Sequence, residues 1–213
     1  MITIACCLWT PTEGSFDFSR MYDERWVEKL YRGFARNLSR PFRFACLSDE
    51  PRAYTEKAIQ DVRLRHAPGY HSLIEPFRLE GPLMIVGLDT VVVGNCDDLV
   101  AHAERATRIA APRDPFYPDT VCNGLLLVPK GCTEVYHEHQ RAGGQGNDME
   151  TIRALYRAGE IDVIDDLFPG QVVSYKGHVR DYGLGEARVV YFHGRLKPHE
   201  LESHVPWIAD NWT

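Results

Sequence analysis

The sequence predicts an α/β fold in which a mostly parallel central sheet is flanked by helices. Strand-like and helix-like segments alternate along most of the chain, a pattern typical of such layered folds. Short apolar runs bounded by turn residues predict buried strands. The length of 213 residues, with 44% hydrophobic and 25% charged residues, suits one substantial domain with its own core.

The predicted strands are apolar runs separated by polar or glycine-containing segments. This pattern gives eight strands, at 2–9, 42–49, 61–67, 83–93, 108–112, 121–129, 171–176 and 188–194. The predicted helices have apolar residues three or four positions apart, or carboxylates in their first turn. They cover 22–38, 97–106, 133–142 and 147–159, and a polar tail follows the last strand.

Composition restricts the partners and the compartment of the protein. A formal charge of −6 argues against broad, nonspecific nucleic-acid binding, although it leaves room for a local basic groove. The six cysteines form no C-x-x-C pair, which predicts buried thiols in a reducing cytoplasm rather than a zinc ribbon or a thioredoxin-like site. No apolar run approaches the roughly 18–20 residues that span a bilayer, so neither a membrane segment nor a signal peptide is expected.

Polar side chains stand at the ends of three predicted strands. Trp9 and Thr10 end the first, Asp49 ends the second, and Asp89 interrupts the apolar run "GPLMIVGLDTVVVGN". Ligands of open parallel sheets bind outside the carboxyl ends of the strands, so these side chains are expected to line one crevice. An unpaired charge in an apolar core costs roughly 3–5 kcal/mol, so Asp89 needs a partner or a ligand. Because G-x-G-x-x-G and P-loop motifs are absent, a phosphorylated ligand would be neutralised by a carboxylate-held metal.

Four segments resemble motifs of GT-A-fold glycosyltransferases, in the same order along most of the chain. They are the apolar strand around Asp89, where those enzymes carry D-x-D, then "CNGLLLVPKG", "GNDMETIRAL", and "VVYFHGRLKPHE" with its likeness to H-x-x-G-x-x-K-P. The pattern is that of glycogenin-like members and also resembles small phage-type nucleotide-sugar enzymes. The resemblance implies a single GT-A (Rossmann-like) domain over 1–213. Its nucleotide-binding half would span about 1–95, and its acceptor and sugar half about 96–213.

The same resemblance implies a donor, a cofactor and a set of site residues. The donor would be a nucleotide sugar, most simply a UDP-hexose, and Mn²⁺ or Mg²⁺ would neutralise its diphosphate. Gly87 replaces the first acid of D-x-D and Tyr191 replaces the ligand histidine. His193 shares a strand face with Tyr191, so Asp89 and His193 are the metal candidates. The implied donor-binding residues are Trp9, Thr10, Asp49, Asp89, Asn123, Gly194 and Lys197, and the catalytic candidates are Asp148 and Lys176.

Several of these residues also have ordinary structural explanations. Trp9 suits packing at a strand end, Asp49 suits a turn cap, and Asp148 suits the first turn of a helix. His193 suits a bond to a backbone carbonyl, and Lys176 suits a solvated surface. The pattern of residue types leaves both explanations open at each of these positions.

Basic residues predict a further contact surface for the acceptor. Arg32 and Arg36 share one face of the first helix, and Arg63 and Arg65 lie in the third predicted strand. The stripe suits a solvated helix face, and it also suits a nucleic-acid backbone. The expected reaction is therefore transfer of a hexose, with retention, to a hydroxymethylated pyrimidine in phage DNA, to a glycan or to a small molecule. The alternatives are a non-catalytic nucleotide- or glycan-binding relative of the fold, and a nucleotidyltransferase.

Overall fold

The computed structural model describes residues 1–144 and 146–213, which form two β-sheets with helices around them. The strands are β1 Ile2–Leu8, β2 Phe42–Ser48, β3 Ile59–Arg63, β4 Leu83–Val86, β5 Thr90–Val92, β6 Ile109–Ala111, β7 Leu125–Val128, β8 Ile161–Val163, β9 Val172–Ser174 and β10 Val189–Tyr191. The α-helices are α1 Glu24–Asn37, α2 Asp97–Arg105, α3 Glu134–Arg141, α4 Asp148–Arg157, α5 Ile164–Leu167, α6 Arg180–Tyr182, α7 Pro198–Leu201 and α8 Pro206–Asn211. Two 3₁₀ segments and one π-helical turn lie at Asp17–Ser19, Tyr70–Arg78 and Tyr175–Val179.

The larger sheet confirms the predicted fold class. Its strand order is β3–β2–β1–β4–β7–β6–β8, and every strand points the same way except β7. The chain runs outward from β1 to β2 and β3, and then returns to place β4 on the other side of β1. This reversal opens a crevice at the carboxyl ends of β1 and β4, the usual place for a ligand in an open α/β sheet.

Both faces of the larger sheet are buried, which explains why its strands are apolar on both sides. On one face of β1, Ile4 belongs to the same core as Leu30 and Phe34 of α1. The opposite face carries Ala5 and the thiol of Cys7, which lie in a separate buried cluster. Buried side chains therefore pack against β1 on both faces, and this packing fixes the position of its carboxyl end.

The prediction of one strand over 83–93 is wrong. The residues form β4 in the larger sheet and β5 in a smaller sheet of order β5–β10–β9. A turn over Leu88 and Asp89 separates the two strands. Because both strands are buried, their side chains read as one apolar run, and only Gly87 and Asp89 mark the break. Asp89 thus lies where the chain passes from one sheet to the other.

Other differences concern element ends and the last part of the chain. The predicted strand 171–176 ends at Ser174, so Lys176 lies in the π-helical turn that follows. The sequence pattern predicts neither β8 nor α5. The predicted polar tail contains α7 and α8, and each begins with a proline, a residue favoured in the first helical turn.

The cysteines agree with the expectation of buried thiols, with one of them only half-buried. All six cysteines are free thiols; five are buried and Cys132 is half-buried. Within the described ranges, each helix is too short or too polar to cross a lipid bilayer.

Candidate active site

A cavity of about 440 Å³ opens at the carboxyl ends of β1 and β4. This volume is in the range of small-molecule sites, which are usually 300–1,000 Å³ by a rough survey measure. The strand ends, the start of β7, the start of α4 and the loop after β10 all contribute to its wall. Of the sequence-predicted residues, the cavity brings together Trp9, Asp89, Asn123, Asp148, His193, Gly194 and Lys197.

A smaller cavity of about 190 Å³ continues from the first one. The two share Asp89, Asn123 and His193, and the smaller one extends toward Phe116. The Phe116 side chain is 57% exposed and its ring meets the His193 imidazole edge to face at 5.1 Å. The site therefore has one large compartment and one side compartment with an exposed aromatic ring at its wall.

Asp89 has two protein partners. Its Oδ2 accepts a hydrogen bond from the Tyr22 hydroxyl at 3.1 Å and forms an ion pair with Lys197 Nζ. Lys197 is only 2% exposed, so the pair is largely removed from water. Burial, together with the charge of Asp89, raises the pKa of Tyr22, and the phenol remains a donor. The partner that the sequence requires for Asp89 is thus a lysine 108 positions later.

The loop after β10 directs Lys197 back toward Asp89. Gly194 and Leu196 both adopt left-handed backbone conformations, with φ of 60° and 70°. Leucine rarely occupies this region, and such strain is frequent at functional sites. The loop also holds a second lysine, because Lys176 Nζ donates to the Arg195 carbonyl at 3.0 Å. Burial, and then the charge of Lys197, lowers the pKa of Lys176.

Asn123 and Asp148 form a polar pair in the wall of the larger cavity. Asn123 Nδ2 donates to Asp148 Oδ2, and Asp148 is the first residue of α4, with Asn147 as its cap. Burial raises the pKa of Asp148 to about 6, while the backbone N–H of Met149 and the Asn123 amide oppose the shift. The carboxyl group can therefore exchange a proton near neutral pH. In either state it can hydrogen-bond a hydroxyl group in the cavity.

His193 lies between the two compartments as a neutral imidazole. Its Nε2 is 2.9 Å from the hydroxyl oxygen of Ser174. Burial, and then the positive charge of Lys176, lowers the pKa of His193. The ring is therefore uncharged at neutral pH, available as a hydrogen-bonding group.

The side chains at this site do not fit a resident Mn²⁺ or Mg²⁺ ion. These ions prefer about six oxygen-rich ligands, whereas Gly87 supplies none and Asp89 Oδ2 is occupied by Lys197 and Tyr22. His193 Nε2 is engaged by Ser174. Across 1–144 and 146–213, no group of three or more His, Cys, Asp or Glu side chains is arranged to hold a metal. The chemistry of the site has to be derived from its own cations.

Thr10 and Asp49 stand outside the walls of both cavities. Asp49 Oδ2 accepts from the Thr10 backbone N–H at 3.0 Å, and Asp49 Oδ1 accepts from Arg52 at 2.8 Å. Arg52 also donates to the Thr10 hydroxyl at 2.9 Å and pairs with Glu24 and Glu50. Although burial opposes the shift, the Arg52 and Thr10 hydrogen bonds hold the pKa of Asp49 below its usual range.

The four predicted acceptor-contact arginines lie away from both cavities. Arg32 pairs with Glu56 at 3.2 Å, and Arg36 donates to the Thr213 hydroxyl at 3.0 Å. Arg63 donates to the Asp49 carbonyl, while the exposed Arg65 contacts Glu75 through its backbone N–H at 3.0 Å. The side chains of Arg32, Arg36 and Arg63 therefore have protein partners.

Several cavity residues are missing from the sequence-based set. They include Cys7, Phe18, Tyr22, Tyr70 and Arg153. Phe18, Tyr22 and Tyr70 come from loops or a 3₁₀ segment, where no periodic pattern marks a residue's position. Cys7 is the exception, because strand alternation places it at the end of β1 on the face away from α1.

Several solved structures that resemble this chain are glycosyltransferases. GlyE of Streptococcus pneumoniae TIGR4 has a TM-score of 0.61 at 12% identity, over 92% of this chain and 55% of GlyE. The galactosyltransferase LgtC, in complex with donor and acceptor sugar analogues, has a TM-score of 0.59 at 9% identity, over 99% of this chain and 96% of LgtC. The bifunctional WbbM in its apo form has a TM-score of 0.63 at 9% identity, over 98% of this chain and 50% of WbbM.

The chain thus spans about half the length of GlyE and of WbbM, and nearly all of LgtC. No protein-family model matches the chain. No curated protein matches it in sequence. At these identities the likeness is one of fold.

Proposed function

We propose that this chain, which has the GT-A fold of these glycosyltransferases, moves a hexose from a nucleotide sugar to a hydroxyl acceptor. The cavity at the ends of β1 and β4 carries the proposal, because it combines aromatic rings, a buried lysine and an Asn–Asp pair. These are the groups that a base, a diphosphate and a sugar require, respectively. By the resemblance, the donor is a UDP-hexose.

The donor lies across the two halves of the chain in this proposal. Trp9, whose ring meets Tyr70 edge to face at 6.1 Å, receives the base in the half at about 1–95. Lys197 meets the diphosphate, and Asn123 and Asp148 hydrogen-bond the hexose, in the half at about 96–213. Thr10 and Asp49 support this wall from behind through Arg52.

The transfer step follows from this arrangement. The bond between the anomeric carbon and the diphosphate oxygen breaks, and its electron pair stays on that oxygen. The acceptor oxygen bonds to the anomeric carbon, and its proton passes to the departing phosphate on the same face, so the configuration is retained. Lys197 stabilises the charge that develops on the leaving oxygen. Asp148 and Asn123 hold the hexose in position.

The acceptor is proposed to enter through the smaller cavity. Phe116 in its wall is 57% exposed, and such a ring suits stacking against one face of a sugar. Because the side chains of Arg32, Arg36 and Arg63 already have protein partners, a glycan or a small hydroxylated molecule is favoured over a modified pyrimidine in phage DNA. Gel retention of a modified-DNA duplex at moderate salt, lost on joint replacement of Arg32 and Arg36, would instead favour DNA.

A second candidate is a relative of the fold that binds a nucleotide or a glycan without turnover. The observation in its favour is Gly87, which leaves the D-x-D position with one carboxylate. Release of free hexose or product from the donor separates the two candidates. Detectable transfer rules out the binding-only protein.

The resemblance bears on the cofactor, and the cysteines bear on the compartment. The resemblance implies Mn²⁺ or Mg²⁺, but no step of the proposed transfer uses a metal, because Asp89 and His193 do not fit one. Six free thiols support a reducing compartment such as the cytoplasm.

Calorimetric titration of UDP, UDP-glucose and GDP-mannose tests the donor assignment. We expect a UDP ligand to bind, and Trp9→Ala to weaken it by about 1–3 kcal/mol through lost stacking. Tyr182→Ala, at a 78% exposed ring outside both cavities, is the matched control and should change nothing. Failure of all three ligands to bind would contradict the proposal. Proton NMR of the first turnover product then gives the anomeric configuration.

A further inference from the structure

We infer that Lys176 and Lys197 together supply the positive charge that holds the donor diphosphate, so that donor binding needs no divalent cation. The inference rests on the proposed function and specifies its cofactor requirement. A diphosphate can be neutralised by a metal ion or by protein cations placed to donate charge-assisted hydrogen bonds. The geometry around Gly194 favours the second solution.

Both oxygens of Asp89, the single carboxylate at the D-x-D position, have close protein neighbours. A Cβ added to Gly87 would lie 2.9 Å from Asp89 Oδ1, so this oxygen fills the space beside residue 87. The other oxygen, Oδ2, is held by Lys197 and Tyr22. A metal ion would have to displace a buried lysine to reach it. A first acid at position 87 would collide with Asp89 as it stands.

Both ammonium groups lie close to the loop after β10. Lys197 Nζ contacts Asp89 from the cavity side, with its side chain 3% exposed. Lys176 is in the wall of neither cavity. Its Nζ binds the Arg195 carbonyl and would lie 3.3 Å from a Cβ added to Gly194, and Gly194 does line the larger cavity. A side chain at position 194 would crowd the Lys176 ammonium group, and the φ of 60° also favours glycine.

The charge balance of this cluster is incomplete without an anion. Asp89 offsets one of the two lysines, whereas Lys176 forms no ion pair within the residues that the structure describes. The neighbouring His193 is neutral, so it adds no charge to the cluster. Partly buried positive charge without a partner is unfavourable, and a diphosphate at Gly194 would relieve it. The site therefore presents a cationic pair where GT-A enzymes with D-x-D present a metal.

Calorimetry of UDP in the presence of EDTA, and then with excess Mn²⁺, tests this inference. We expect the two dissociation constants to agree within about threefold. Lys176→Met should weaken UDP at least tenfold in EDTA, about 1.4 kcal/mol. The same variant should bind uridine, which has no phosphate, as the parent does. Uridine binding also verifies that the variant is folded.

Two further variants control for charge and for the loss of a lysine. Lys176→Arg keeps the charge and should stay within about threefold of the parent. Lys130→Met removes an exposed lysine beyond the far end of β7, outside both cavities, and should leave UDP affinity unchanged.

The outcomes separate this inference from the proposed function. UDP binding that appears only with Mn²⁺, or a Lys176→Met protein that binds UDP normally, overturns the cation pair and leaves the donor assignment intact. If uridine, UDP and GDP all fail to bind in both buffers, the donor assignment fails and the cation pair fails with it.

Discussion

The ion pair between Asp89 and Lys197 allows a quantitative test of how the site is built. The two side chains are 13% and 3% exposed, so removal of one partner leaves a largely buried charge. Breaking such pairs costs about 3–5 kcal/mol. For a chain of 213 residues, each kcal/mol shifts Tm by about 2–4 °C, so Lys197→Met should lower Tm by roughly 6–20 °C.

The double variant Asp89→Asn/Lys197→Met distinguishes a lost pair from lost packing. It removes both charges, and the introduced amide oxygen would still accept a hydrogen bond from Tyr22, so most of the stability should return. Urea denaturation without ligand measures the parent, Lys197→Met, Asp89→Asn and the double variant, with an unchanged slope as the condition for comparison. Glu202→Gln breaks the exposed pair with Lys29 and is the control, with an expected cost below about 1 kcal/mol. A Lys197→Met protein within about 1 kcal/mol of the parent would refute the reasoning.

Three further substitutions test other parts of the site. Since the pKa of Asp148 is about 6 against an ordinary 3.8, the folded state binds the extra proton, and the free energy of unfolding falls as pH rises through this interval. Asp148→Asn should therefore stabilise the protein by up to about 3 kcal/mol at pH 8 and by little at pH 4. Urea denaturation at both pH values measures the difference, and an equal effect at both would contradict the burial argument. Gly87→Asp should displace Asp89 and lower UDP affinity in EDTA about tenfold, with recovery in Mn²⁺; calorimetry with unchanged affinity in EDTA would contradict the steric premise. Gly124→Ala places a methyl group 2.5 Å from Tyr191 Cδ2. It should lower the free energy of unfolding by about 1–3 kcal/mol, measured by urea denaturation. An unchanged free energy of unfolding would show that the Tyr191 ring moves aside freely.

Local sequence patterns predict the fold and one wall of the site. An apolar run followed by a polar residue identifies the end of a strand, and Trp9 and Asp89 both follow from this pattern. Asn123 and Asp148 follow from segments that resemble known motifs in the right order. Helix caps and strand ends depend on residues that are close together in the chain, so a single sequence is enough to predict them.

The partners of these residues depend on long-range contacts that no local pattern contains. Tyr22 is 67 positions from Asp89 and comes from a loop, where side-chain direction has no period. The backbone turn at Leu196 that brings Lys197 to Asp89 involves a leucine in a conformation that leucine seldom adopts. The sequence pattern therefore identifies charged groups at the site, while the folded chain determines which of them neutralise one another.

The turn at Asp89 joins the two sheets at the wall of the cavity. Gly87 follows a strand of the larger sheet, whereas the Asp89 carbonyl accepts from the Phe192 N–H at 3.1 Å, next to the pairing of β5 with β10. A ligand that contacts both Trp9 and Lys197 would link the two sheets across this turn. Its binding should slow amide hydrogen exchange in β10 and the rest of the smaller sheet, and leave exchange at the distant β3 edge unchanged.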